Sequence, residues 1–270
     1  MLDCAEGTQM QLRRCRVRFT KLSHVFITHL HGDHCFGLIG MISTFGLLGR
    51  TATLHVHAPK ELEPMLKYQL DFFTHDLGFE VAFHAVDTTK HAIVYEDRSV
   101  TVESIPLQHR MPTCGYLVRE KPSLPHIRRE MIDFYNIPVS QINNIKNGAD
   151  WLTPEGEVIP NERLVKEAEP SLSYAYCSDT RYIPNLHEIL KGVSTLYHES
   201  TYGEDNLQQA EKYCHSTARQ AALVARDAGV GKLLLGHYSS RYEDEQVLLD
   251  EAKMVFENSF LTNEMDVFDV

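Results

Sequence analysis

The most informative segment of this sequence is Thr28-His29-Leu30-His31-Gly32-Asp33-His34. It follows the apolar, β-branched run Leu22–Thr28, which is typical of a strand. We predict that His29 and His31 end this strand, where alternate residues share one face, so that both imidazoles point the same way. Asp33 and His34 then begin the next helix and approach from a second direction. The segment therefore predicts a metal site at a strand-to-helix turn.

Four nitrogen and oxygen ligands within six residues fit two adjacent cations better than one. Imidazole and carboxylate without thiolate favour zinc, with manganese or iron as alternatives. Without a metal, four crowded titratable side chains would leave buried nitrogens unsatisfied. A purely structural role of these four side chains is therefore disfavoured.

Three further candidate ligands each follow a predicted strand. His109 comes after Val100–Leu107, Asp179 after Leu172–Cys177, and His237 after Lys232–Leu235. The carboxyl ends of strands are where open α/β layers gather their site residues. We therefore expect these three side chains to join the first four.

The remaining histidines are interpreted as structural. His55 and His57 also form an alternating pair on a predicted strand, but Pro59 follows them, so the second half of a site is missing. The histidines without a spaced partner are His24, His75, His84, His91, His126 and His187. None of these eight is predicted to bind metal.

The composition is that of a globular protein. The 270 residues are 43% hydrophobic and 23% charged, which excludes a disordered or fibrous chain. The longest mostly apolar stretch, Cys35–Gly49, is too short and too rich in glycine to cross a bilayer. The six cysteines form no CxxC pair and no export signal precedes them, so we predict free thiols, a cytoplasmic protein and no membrane partner.

Predicted strands follow one another early in the chain and alternate with helices later, which favours layered α/β architecture. Residues 119–170 break this rhythm with six prolines. The segment is too long for an ordinary connection and is interpreted as a functional arm, a lid or a decorated loop.

The formal net charge of −11 argues at first against nucleic acid. Arg13, Arg14, Arg16, Arg18 and Lys21, however, crowd into nine positions. They form either a solvated face or a patch that faces phosphate, and both interpretations stay open here.

Several motifs resemble one known family. His29–His34 followed by Cys-Phe-Gly-Leu resembles the metal motif of the metallo-β-lactamase superfamily. Asp3–Gln9, Asp-Cys-Ala-Glu-Gly-Thr-Gln, resembles the DCGEGTQ segment of the ribonuclease Z family, endonucleases that trim tRNA 3′ ends. Further motifs of that family follow in order: Leu107-Gln108-His109, Ser178-Asp179-Thr180-Arg181, His198-Glu199-Ser200-Thr201, His215-Ser216-Thr217-Ala218 and His237-Tyr238-Ser239-Ser240-Arg241-Tyr242.

The resemblance implies a four-layer αββα metallo-β-lactamase sandwich over residues 1–270, with an inserted arm at 119–170 that grips tRNA. It also implies two strands ahead of Asp3, which this sequence is expected to lack. It implies two zinc ions per subunit, with Asp179 as the bridging ligand. The other ligands would be His29, His31 and His109 for one ion, and Asp33, His34 and His237 for the other.

The mechanism expected from this resemblance is phosphodiester hydrolysis that removes the 3′ trailer of precursor tRNA and leaves a 3′-hydroxyl. Asp33 would orient the attacking water, and His215, steadied by Glu199, would protonate the leaving oxygen. Arg241 would contact the scissile phosphate. The implied partners are precursor tRNA and a second subunit in a homodimer, and DNA is not expected to be a substrate.

Two other functional classes remain open. A small-molecule hydrolase on the same scaffold, such as a phosphodiesterase, lactonase or thioesterase, would share all seven ligands but would not require His215, Arg241 or the arm. An inactive binding module would have lost ligands, and none is missing.

Overall fold

The computed structural model describes residues 1–18, 21–74 and 76–270. These residues form two compact units, one made of Met1–Arg119 with Ser173–Val270 and the other of Glu120–Leu172. His75 lies outside the described residues. Among the described residues, no helix combines the length and apolar composition needed to cross a bilayer.

The helices are α1 (Thr8–Arg14), α2 (Gly32–Cys35), α3 (Gly37–Leu47), α4 (Leu62–Phe73), α5 (Arg129–Phe134), α6 (Val139–Lys146), α7 (Asn161–Leu164), α8 (Leu186–Ile189), α9 (Leu207–Tyr213), α10 (Ala218–Ala228) and α11 (Gln246–Lys253). The strands are β1 (His24–Phe26), β2 (Leu54–Pro59), β3 (Val81–Val86), β4 (Ala92–Glu96), β5 (Val100–Pro106), β6 (Cys114–Glu120), β7 (His126–Ile127), β8 (Trp151–Leu152), β9 (Val158–Ile159), β10 (Val165–Lys166), β11 (Ser173–Cys177), β12 (Thr195–Glu199), β13 (Lys232–Gly236) and β14 (Ser259–Leu261).

The first sheet of the larger unit is parallel, in the order β1-β2-β3. Val25 of β1, Ile27 directly after β1 and Val56 of β2 pack on apolar side chains of α3 such as Leu38 and Met41. All five side chains are almost fully buried. This burial helps to hold the start of the segment Thr28–His34, which carries four of the candidate ligands.

The second sheet has seven strands in the order β14-β13-β12-β11-β6-β5-β4. Its strands β11 to β14 run parallel, and β6 pairs antiparallel with β11. Its outer face packs on α8, α10 and α11 through a core that includes Leu196, Leu233, Ala221 and Leu248. The first turn of helix α10 is stabilised by a capping box between Thr217 and Gln220.

A third core lies between the sheets and joins Phe26 of the first sheet to Val102 and Tyr116 of the second. Helices, sheet, sheet and helices therefore form four layers. The predicted αββα fold is confirmed.

Two local predictions are wrong at the site. The strand predicted for Leu22–Thr28 ends at Phe26, so His29 and His31 lie in the loop that follows and not on the strand. The physical reason is that the Thr28 N–H donates to the Asp3 carboxylate, 2.8 Å away, and not to a neighbouring strand.

The single helix predicted to begin at Asp33 is two helices, α2 and α3. The Gly37 N–H, at the start of α3, donates to the Cys4 carbonyl over 2.9 Å. The strand β4 was not predicted, because its half-exposed edge position leaves no clear alternation in the sequence.

The smaller unit has its own hydrophobic core. Ile137, Ile145, Ile159 and Leu164 are almost fully buried, and Trp151 packs against them. Short helices and two-stranded pairings, β7 with β10 and β8 with β9, surround this core. The segment is thus a small folded unit, and its role as an arm stays a prediction.

Gly37 marks the closest backbone approach beside the site. A Cβ there would lie 1.7 Å from the Ala5 carbonyl oxygen, which is backbone and cannot rotate away. We expect Gly37→Ala to lower the free energy of unfolding by about 1–3 kcal/mol or more, because overpacking forces backbone shifts. Urea unfolding followed by circular dichroism measures this.

Gly40→Ala in the same helix is the matched control. The nearest atom to its added Cβ is the flexible Gln9 Nε2 at 3.4 Å. Alanine is also the better helix former by up to about 1 kcal/mol. Equal stability of the two variants would contradict the close approach at Gly37.

Candidate metal centre

The structure brings all seven predicted ligands to the carboxyl-end edge of the two sheets. His109, Asp179 and His237 follow β5, β11 and β13 by one to three residues. The donor atoms form two groups, and within each group the atoms lie within 4.8 Å of one another. One group is His29, His31, His109 and Asp179, and the other is Asp33, His34 and His237.

Asp179 lies between the two groups. Its Oδ2 is 3.6 Å from His29 Nε2 and 3.7 Å from His109 Nε2. Its Oδ1 is 3.4 Å from His34 Nε2 and 3.1 Å from His237 Nε2. Each carboxylate oxygen therefore faces a different group, which is the arrangement that a bridging ligand requires.

The donor set fits divalent cations. His109 Nδ1 donates to the Cys214 carbonyl over 2.9 Å, so Nε2 carries the lone pair. That Nε2 is buried, and among the described residues it has no hydrogen-bond partner. A divalent cation between this lone pair and the carboxylate would satisfy both.

The electrostatics of the first group agree with this reading. Burial lowers the pKa of His29 to about 3, and the neighbouring His34 acts in the same direction. The imidazole is therefore neutral at pH 7, the form that binds metal. His29 Nε2 and His31 Nδ1 are 3.0 Å apart.

The second group is more polar. Burial alone would lower the pKa of His34, but hydrogen bonds to Asp179 and Asp3 raise it to about 10. Burial likewise opposes ionisation of Asp179, yet the hydrogen bond from His34 and the nearby His237 hold its pKa well below the usual range. A divalent cation would take the place of the shared proton between these ligands, since ligands bind metal in their deprotonated form.

Three residues that orient the ligands were missed in the sequence. Asp3 Oδ2 accepts from His34 Nδ1 over 2.7 Å, and Thr201 Oγ1 lies 2.8 Å from His237 Nδ1. Thr28 Oγ1 lies 3.0 Å from His29 Nδ1. Such contacts fix the ring orientation of metal-binding histidines. The only sequence signal for them is their place in the quoted motifs, since Asp3 and Thr28 open one each and Thr201 ends one.

The backbone is strained at two of the ligands. Asp179 has φ 40° and His237 has φ 60°, although neither is glycine. Residues persist in this region only where the surroundings over-determine them, and such positions cluster at functional sites.

The predicted pair of His215 and Glu199 is brought together at the same edge. His215 Nδ1 lies 2.8 Å from Glu199 Oε1, and the carboxylate is fully buried. Backbone N–H groups of Thr180 and Thr201 also donate to Glu199, over 2.9 and 3.1 Å. Burial opposes protonation of His215, but the Glu199 hydrogen bond outweighs it and raises the pKa of His215.

His215 also belongs to a third group of donor atoms, with Asp179 and His237. Its ring stacks on that of His237 at 5.3 Å between centroids. With Nδ1 held by Glu199, Nε2 is the nitrogen left for a substrate.

Arg241 and His198 are not part of this cluster. Arg241 is exposed, and in the described chain no contact joins its guanidinium to a candidate ligand. His198 is buried on β12 next to Glu199, so the two side chains point to opposite faces of the sheet.

The second alternating pair has a different environment. His55 and His57 lie on β2 and stack with His24 and His84 of the neighbouring strands at 4.6–5.4 Å between centroids. None of the donor groups found among the described residues includes any of these four histidines.

Comparison with known proteins decides the family. Ribonuclease Z of Bacteroides fragilis (strain YCH46) is 56% identical over 264 residues, which are 98% of this chain and 87% of the relative. Ribonuclease Z of Bacteroides thetaiotaomicron is 54% identical over 98% of this chain and 84% of the relative. The chain belongs to the ribonuclease Z family. Residues 1–126 also match the family described as beta-lactamase superfamily domain.

Solved structures agree on the fold. The short form of human tRNase Z is 21% identical, with a TM-score of 0.64 over 89% of this chain and 82% of that chain. A metallo-β-lactamase-fold protein of Bacillus subtilis is 18% identical, with a TM-score of 0.65 over 99% of this chain and 86% of that chain.

The predicted family and enzyme class are therefore confirmed. The chain is a metal-dependent hydrolase of the ribonuclease Z type, and its fold and donor groups indicate the use of divalent metal. Cytoplasmic location stays a prediction.

Proposed function

We propose that the chain is a zinc-dependent endoribonuclease that removes the 3′ trailer from precursor tRNA and leaves a 3′-hydroxyl. The single observation that carries this is Asp179, whose two oxygens face two separate groups of histidines. A ribonuclease Z relative is 56% identical over 98% of this chain, and this similarity supports RNA as the substrate.

In the proposal, His29, His31 and His109 would hold one ion, and Asp33, His34 and His237 would hold the other. Asp179, which faces both groups, would serve as a ligand to both. Zinc ions bound there would lower the pKa of water and withdraw charge from phosphate oxygens. Manganese or iron would fit the same nitrogen and oxygen donors.

The side chains supply the rest of the chemistry. The Asp33 side chain is 67% exposed, and in the proposal it orients the attacking water and accepts its proton. The water oxygen bonds to phosphorus, and the bond from phosphorus to O3′ breaks. His215 gives the Nε2 proton to O3′, while Glu199 holds the ring by Nδ1.

Two remaining assignments concern the RNA. Arg241 is exposed four residues after the ligand His237, and we assign it to the scissile phosphate. The segment 119–170 is assigned to binding of the tRNA body.

We also propose that the chain forms a homodimer. Light scattering tests this by measuring the molar mass in solution.

Metal removal tests the proposal. A chelator is expected to abolish cleavage of a precursor tRNA that carries a 3′ trailer, and zinc is expected to restore it to the starting rate. Elemental analysis of the restored sample should give two zinc ions per chain. Gel analysis of the products should give a tRNA that ends in a 3′-hydroxyl.

A chromogenic phosphodiester serves as the comparison substrate under the same conditions. Cleavage of the small ester without cleavage of precursor tRNA would contradict the proposal and favour a small-molecule hydrolase. Full activity in the chelated sample would contradict the metal role.

A further inference from the structure

A small polar cavity opens beside His215, and none of the seven candidate metal ligands lines it. Its volume is about 280 Å³, and its lining consists of Gln108, Arg181, Tyr182, Glu211, His215 and Gln220. This is just below the about 300 Å³ at which pockets for drug-sized ligands begin, so the cavity suits a single small ring system. His215 is the residue that it shares with the donor groups.

We infer that this cavity seats the nucleoside that carries the leaving O3′, the last nucleotide of the mature tRNA. The inference rests on the proposed function, because the proposed reaction defines which nucleoside lies on each side of the scissile bond. His215 must reach O3′ to protonate it, and the nucleoside attached to O3′ therefore lies on the His215 side. The cavity begins there.

The walls of the cavity are tied to the same hydrogen-bond network that holds His215. The Arg181 N–H donates to the Gln108 carbonyl over 2.8 Å, and the Gln108 N–H donates to Thr180 Oγ1 over 3.1 Å. The Thr180 N–H in turn donates to Glu199, the partner of His215. The position of the cavity relative to the proton donor is thus fixed by backbone contacts.

The lining groups have free hydrogen-bonding capacity. Among the described residues, the Gln108 amide, the Arg181 guanidinium and the Glu211 carboxylate have no side-chain hydrogen bond or ion pair. Gln220 uses Oε1 in the cap of α10 and keeps its Nε2 free. These amide, guanidinium and carboxylate groups match the edges of an RNA base, and Tyr182 offers a ring.

The charge of the cavity favours a base over a second phosphate. Arg181 and Glu211 balance each other, a protonated His215 is balanced by its ion pair with Glu199, and the other lining groups are neutral. A phosphate placed here would meet the Glu211 carboxylate. A base or ribose would instead satisfy the donors and acceptors without a net charge of its own.

The test compares two precursor tRNAs that differ only in the last tRNA nucleotide, which is intact in one and abasic in the other. In the zinc-loaded wild-type chain, removal of this base should lower kcat/KM by about 5- to 150-fold, the range for one well-made base contact. Gln108→Ala and Arg181→Gln should reduce this ratio severalfold, because the contacts they remove need the base. An abasic site placed one nucleotide later, in the trailer, should have a smaller effect.

Gln208→Ala is the matched control, since Gln208 is an exposed glutamine of α9 outside the cavity. It should keep the wild-type ratio. The affinity of the metal-free wild type and variants for the two uncleaved RNAs measures the same dependence on the base without turnover. A merely structural effect of a substitution would lower the affinity for both RNAs equally.

Equal cleavage of the two RNAs by the wild type would overturn the subsite and leave the proposed function standing. So would an unchanged ratio in Gln108→Ala and Arg181→Gln. A larger effect of the trailer nucleotide would place the cavity on the other side of the bond. No cleavage of the intact precursor would overturn the proposed function and the subsite together.

Discussion

Asp179→Asn is expected to lower the rate of precursor tRNA cleavage by about 10⁴-fold, since removing one member of a group that acts as a unit costs that much. The amide keeps the size of the carboxylate but removes the charge that faces both groups of histidines. One of its oxygens becomes an NH₂ group, which cannot bind metal. The measurement is the single-turnover rate with zinc in excess.

A measurement of metal binding shows whether the lower rate of Asp179→Asn comes from weaker binding of metal. Zinc that binds only the folded state would stabilise it, so the melting temperature of the wild type is expected to rise with zinc concentration. Asp179→Asn should show a much smaller rise. Asp227→Asn, at a surface carboxylate that pairs with Arg226, should match the wild type in both measurements. A variant that retains metal affinity and activity within tenfold would contradict the bridging role of Asp179.

His215→Ala carries the second largest expected effect. We expect the single-turnover rate to fall by about 10²- to 10⁴-fold, the usual contribution of a positioned acid. Metal content and RNA affinity should stay close to wild type, since seven other side chains supply the donors. Loss of metal from this variant would instead make His215 a ligand, which its distance to Asp179 and His237 also permits.

A change of leaving group tests the proton transfer itself. A substrate with sulfur in place of O3′ releases a thiolate, which needs no proton at pH 7. The His215→Ala defect should shrink strongly with this substrate, whereas the Asp179→Asn defect should not. Glu199→Gln should lie between wild type and His215→Ala, because the ring remains but loses its ionic partner. His91→Ala, at an exposed histidine that pairs with Glu103, is the control.

The sequence located the candidate ligands because local order and topology place them. His29, His31, Asp33 and His34 are close in sequence, and any compact turn keeps them together. Strand-length runs precede His109, Asp179 and His237, and the carboxyl ends of parallel strands meet at one edge. The pairing of His215 with Glu199 was also predicted, from their motifs.

Residues that orient the ligands were beyond sequence reasoning because their contacts cross long sequence separations. Asp3 reaches His34 over 31 residues, and Thr201 reaches His237 over 36. A threonine or aspartate has no periodic signal for such a contact. The end of β1 at Phe26 has the same origin, since Asp3 takes the Thr28 N–H.

By itself, the sequence therefore determined the family motifs, the layered α/β class and the set of donor residues, because these depend on residue type and on order along the chain. Only the tertiary structure decided that the two oxygens of Asp179 face different histidine groups and that Gln108, Arg181 and Glu211 line a cavity beside His215. The physical reason is that orientation and enclosed space arise from packing between distant segments, which no local pattern encodes.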